Sequence, residues 1–85
     1  MKLSFTNRFV KAYKKLPRQI REATDKPLGL LLSAPNHPSL NMKKMQGVPD
    51  IWEARATKSY RFTFQLDEDV YTLRNIGAHD ILEKP

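Results

Sequence analysis

The chain has 85 residues, with 15 Lys and Arg against 9 Asp and Glu for a net charge of +6, and it has no cysteine. That length holds one domain, residues 1–85, whose single core the one Trp, four Phe and three Tyr can fill, and the charge favours a polyanionic partner. Disulfides, thiol nucleophiles and thiolate metal sites are excluded. No apolar run follows the opening MKLSFTNRF or approaches the roughly 18 residues of a membrane span, so a cytoplasmic protein without signal peptide or membrane contact is expected.

In chain order, Lys2 to Phe5 alternate as a short strand, and Thr6 or Asn7 can cap a helix beginning near Arg8. Phe9, Ala12, Tyr13 and Leu16 form its apolar stripe, leaving Arg8, Lys11, Lys14 and Lys15 outside. Pro17 suits the first turn of a second helix, where Ile20, Ala23, Leu30, Leu31 and Ala34 keep helical spacing. Pro27 lacks an amide hydrogen and predicts a break around residues 25–28. Residues 34–39, with two prolines and an asparagine, read as a loop, and residues 47–50 as a turn after an irregular segment containing Lys43 and Lys44. Three strands follow. Trp52, Ala54 and Ala56, then Tyr60, Phe62, Phe64 and Leu66, then Tyr71 and Leu73 supply the core face; Glu53, Arg55, Arg61, Thr63, Gln65, Thr72 and Arg74 fall on the polar one.

A three-residue loop at residues 57–59 sets Arg55 opposite Arg61, and a two-residue loop at Asp67-Glu68 sets Arg61 opposite Arg74. Adjacent arginines repel, so the arrangement costs stability unless Glu53 or a bound phosphate intervenes. This is the kind of local conflict expected at a functional site. Guanidinium groups grip phosphate in a two-pronged way, and the last strand runs into Gly77-Ala78-His79-Asp80, where a histidine can move protons near neutral pH. RNA cleavage fits these parts. The 2′-hydroxyl attacks phosphorus, a base takes its proton, an acid protonates the leaving 5′-oxygen, and cations stabilise the phosphorane. His79 is the candidate acid and Arg61 the phosphorane contact. Arg55 and Arg74 are candidates for neighbouring phosphates and Lys43 and Lys44 for guiding RNA; Asp80 would orient His79, or Glu53 would serve as base. The acidic residues show no chelating spacing, so neither metal nor cofactor is expected, and cleavage should survive EDTA.

Four segments, FVKAYKKLP, HPSLNMKKMQG, DIWEARATKSYRFTFQL and LRNIGAHDILEKP, taken in order and spacing, resemble the RelE/ParE superfamily of toxins from type II toxin-antitoxin pairs, across nearly the whole chain. The resemblance implies an α+β fold, with the N-terminal strand and two helices packed on one face of a twisted antiparallel sheet. It implies an mRNA interferase that cuts messenger RNA on the ribosome, with a minority branch poisoning DNA gyrase. Arg61 corresponds to the family's arginine at the scissile phosphate and His79 to its proton-transferring histidine; no histidine lies between His37 and His79, where some relatives carry one. A cognate antitoxin with an acidic amphipathic segment is the implied protein partner. Three classes stand: endoribonuclease, gyrase poison, and noncatalytic nucleic-acid or protein-binding module. The plainer readings are a solvated polar sheet face for the arginines, a turn residue for His79 and a loop residue for His37. Trp52, Phe62 and Phe64 read as core, and the lysine pair as solvated.

Overall fold

The computed structural model describes residues 1–85. Its elements are β1 (Lys2–Phe5), α1 (Asn7–Lys14), α2 (Arg18–Ser33), a 3₁₀ turn (Pro38–Leu40), β2 (Lys43–Lys44), β3 (Ile51–Arg55), β4 (Tyr60–Asp67), β5 (Val70–Ala78) and a second 3₁₀ turn (His79–Glu83). The strands form one sheet in the order β1-β5-β4-β3-β2. β2 to β5 run antiparallel, whereas β1 lies parallel to β5 with Lys2 opposite Val70. The expected α+β architecture therefore holds, with the N-terminal strand as an edge of the sheet itself. No helix is long and apolar enough to cross a membrane.

Thr6 starts α1. Its Oγ1 accepts from the Phe9 amide at 3.1 Å and donates to the Leu73 carbonyl at 2.8 Å, so one hydroxyl caps the helix and ties it to β5. Such a cap is worth about 1 kcal/mol. Phe9 then enters the core 2% exposed, flanked by the Phe5 and Tyr13 rings at 5.5 and 6.3 Å. Tyr13 reaches α2, donating to the Arg21 carbonyl at 3.3 Å; burial, and then the neighbouring Asp25 carboxylate, raise its pKa above the ordinary phenol value.

The break expected at Pro27 does not occur, and α2 runs unbroken through it. Proline removes the bond to the carbonyl four residues back, which belongs to Ala23, an exposed residue whose oxygen can take water instead. Thr24, Leu28 and Leu31 are buried on the inner side, and the Thr24 hydroxyl donates to the Ile20 carbonyl at 2.7 Å. The buried stripe thus runs through Thr24 and Leu28, not through Ala23 and Ala34 as the spacing suggested. With Leu40 it covers the sheet residues Ala54, Phe62, Phe64, Leu73 and Ile76. This apolar contact is what holds the helix together across the proline.

Candidate functional site

The face away from the helices carries the polar residues of β3, β4 and β5, as strand alternation predicts. At one end of the sheet Arg55, Arg61 and Gly77 stand side by side across three strands. The next row is Glu53, Thr63 and Asn75. The expected Arg55–Arg61 pairing is present, but Arg61 lies opposite Gly77 and not opposite Arg74. Two causes combine. The turn residues are Glu68 and Asp69, with Asp67 still paired to Val70, and a bulge lies between Thr63 and Phe64, whose partners are Asn75 and Leu73. The bulge leaves Arg74 without an opposite residue and puts it beside Asn75 on the polar face, bonded to Gln65 Oε1 at 2.8 Å.

Arg61 is held by one prong. Its Nη1 donates to the carbonyls of Thr57 and Tyr60, each at 3.0 Å, and lies 3.4 Å from that of Lys58. The other edge of the guanidinium, Nε and Nη2, makes no hydrogen bond within the protein, which leaves the two-donor fork that matches a phosphate. Arg55 beside it is exposed. His79, two residues past Gly77, opens the last 3₁₀ turn and is exposed, as is Asp80, and no hydrogen bond joins the two. Glu53 is half-buried one row inward, opposite Lys43 on the edge strand, and forms no ion pair. Lys44 is opposite Trp52 and so belongs to the helix side by alternation.

The fold therefore gathers Arg55, Arg61 and His79 at one end of the sheet, with Glu53 next inward and Lys43 at the margin. Arg74 is set apart at the bulge, beside α1. His37 serves its own loop, where its Nδ1 accepts from the Ser39 amide at 3.1 Å and caps the first 3₁₀ turn.

Sequence reasoning missed the covering of this face by the chain's last residues. Ile81 sits over Gly77, where a Cβ would lie 2.6 Å from Ile81 Cγ2, so only glycine leaves room for the turn that carries His79. Beyond it the Pro85 carbonyl accepts from Thr63 Oγ1 at 3.0 Å, and the Lys84 carbonyl accepts from Asn75 Nδ2 at 3.3 Å and from Arg8 Nη2 at 2.6 Å. Of the three buried polar residues, Thr24, Thr63 and Asn75, the latter two lie on this face. The one sequence signal for the bulge was the spacing of the apolar positions Tyr71, Leu73 and Ile76, which an unbroken alternation does not give.

No family model and no curated protein matches the sequence. Solved structures do. The fold is similar to that of YafQ from E. coli strain BL21(DE3), at 13% identity over 94% of each chain with a TM-score of 0.78. It is similar to a chain of the RelB-RelE antitoxin-toxin complex of Methanococcus jannaschii, at 20% identity over 95% of each chain and a TM-score of 0.76. A chain of the intact E. coli RelBE toxin-antitoxin complex is 26% identical over 89% of this chain and 93% of its own, with a TM-score of 0.69.

Proposed function

We propose, from the premise that this chain is a RelE-like toxin of the RelE/ParE superfamily, that it is a metal-independent endoribonuclease that cuts messenger RNA on the ribosome and so inhibits translation. The observation that carries the reading is the open guanidinium fork of Arg61 in one row with Arg55, with His79 at the same end of the sheet. In this reading Arg61 takes the non-bridging oxygens of the scissile phosphate through Nε and Nη2 and stabilises the phosphorane, and Arg55 neutralises the adjacent phosphate. His79, exposed at the start of its turn, protonates the leaving 5′-oxygen, and the Glu53 carboxylate, one row inward, removes the 2′-hydroxyl proton; Asp80 follows His79 in the same exposed turn, where it could orient the imidazole once RNA is bound. Lys43, opposite Glu53, guides the RNA from the sheet edge, whereas Lys44 lies on the helix side and takes no part.

The proposed protein partner is an antitoxin whose acidic, amphipathic segment lies on the basic surface of α1 and α2. Long-range attraction to a chain of net charge +6 favours such a segment. The M. jannaschii and E. coli structures above hold RelE with RelB.

The test is to incubate the purified protein with ribosomes programmed with a defined message and map new 5′ ends. Wild type should cut at the decoding-site codon, and His79→Ala and Arg61→Ala should not. Metal independence is tested with the ribosomes kept in Mg2+ and a phosphorothioate at the scissile position: cutting lost on that substrate and restored by Mn2+ would overturn it. An intact message with wild-type protein would overturn the nuclease assignment and leave the gyrase-poison reading, checked by trapping gyrase cleavage complexes.

A further inference from the structure

The bulge places Arg74 against the start of α1, where Thr6, Arg8 and Arg74 line a notch of about 120 Å³. Both arginines border this small space, Arg8 exposed and Arg74 half-buried. Neither has a carboxylate within ion-pair distance, since the one ion pair in the chain is Arg18 with Glu22 on α2. Like charges set together without a counter-ion are unfavourable, and more so where water is partly excluded. Arg74 Nε is buried and has no hydrogen-bond partner, a state that is rare in folded proteins. Both side chains are nevertheless braced. Arg74 Nη1 is fixed on Gln65 Oε1 at 2.8 Å, and Arg8 Nη2 on the Lys84 carbonyl at 2.6 Å. Each bond uses one of a guanidinium's five N–H donors and leaves the rest for a ligand. Two oriented cations, an unpaired buried donor and no carboxylate of the chain's own together describe an anion site.

We infer that Arg8 and Arg74 form a second phosphate subsite, separate from the Arg55–Arg61 row, which binds a backbone phosphodiester of the RNA substrate. The naming of RNA as ligand rests on the nuclease reading; the anion site rests on the geometry alone. Arg74 is three residues along β5 from Gly77, the strand partner of Arg61, which is about 10 Å at the usual rise per residue. A single extended strand could therefore engage both places. Arg8 is the new functional residue, contributed by α1 to a site otherwise built on strands, and the Lys84 carbonyl is what aims it.

The experiment measures binding of a 2′-O-methyl oligoribonucleotide, which cannot be cleaved, to the full chain by fluorescence anisotropy over a series of salt concentrations. Arg8→Gln should weaken binding about tenfold, as for loss of a charge-assisted hydrogen bond, and lower the log–log salt slope by about one. Arg8→Lys should keep the slope and lose affinity, because lysine keeps the charge without the fork. Lys26→Gln, a charge removed on the exposed side of α2, should change neither. Wild-type affinity and slope in Arg8→Gln, or an equal loss in Lys26→Gln, would overturn the subsite. A saturable shift of the Arg74 Nε–Hε signal with inorganic phosphate, lost in Arg8→Gln, supports the site without reference to cleavage. That shift in a protein that leaves ribosome-bound message intact would retire the nuclease reading and keep the notch.

Discussion

The two faces of the sheet are built from the same three strands and differ in what closes them. On the helix side Ala54, Phe62 and Leu73 are 0% exposed, Phe64 1% and Ile76 2%, and close packing against α1 and α2 holds that face. On the other side the cover is the last seven residues, fixed by the apolar seat of Ile81 over Gly77 and by single hydrogen bonds from Thr63, Asn75 and Arg8. The first face buries much apolar area and specifies the fold. The second sets arginines side by side and keeps donors unpaired, features that lower stability and suit an anionic ligand.

Substitutions separate the two roles. Phe62→Ala, in the middle of the packed face, should cost about 3–5 kcal/mol, read by chemical denaturation. His79→Ala, at the end of the other face, should leave the denaturation midpoint within about 0.5 kcal/mol of wild type while cutting ribosome-dependent cleavage by about 10²–10⁴-fold. A large loss of stability there would show that His79 is structural. Gly77→Ala tests the seam, since the added methyl meets Ile81 Cγ2; about 1–3 kcal/mol of destabilisation is expected, with a further loss of cleavage because the turn carrying His79 must move. The smallest effect runs the other way. Arg55→Glu sets a carboxylate opposite Arg61 and should raise stability by about 0.2–1 kcal/mol while weakening RNA binding, the sign expected if repulsion is tolerated there for function.

The packed face was the legible one. Alternation in β3 and β4 marked Ala54, Phe62 and Phe64 as core, and the same alternation put Arg55 and Arg61 on the other side in the register found. Helix α1 was legible from Phe9 and its spacing, and from Thr6 before it. What escaped was whatever depends on contacts distant in sequence. Pro27 reads as a breaker in isolation, and only the contact of Leu28 and Leu31 with the sheet overrides it. The β4–β5 register turned on which acidic residues make the turn and on one extra residue at Arg74, a local choice that charge and polarity do not encode. The segment after β5 read as a turn with a candidate histidine, because backbone carbonyls, the groups that Thr63, Asn75 and Arg8 bind, are the same at every position. The Arg8–Arg74 notch was hidden for the same reason, its two halves lying at opposite ends of the chain.

The pairing of the first strand with the last has a consequence in time. Thr6 bonds Leu73, 67 residues away, and β1 finds its partner only in β5. A ribosome adding roughly 5–20 residues per second makes the N-terminal hairpin of helices wait several seconds for that strand. Contacts this far apart also carry the largest loop-closure cost and so tend to form late. The arginines of β3 and β4 are synthesised earlier, but the row ending at Gly77, the turn bearing His79 and the notch beside Arg8 come into being together, when β5 is laid between β1 and β4. An unfinished chain carries the charges without the site.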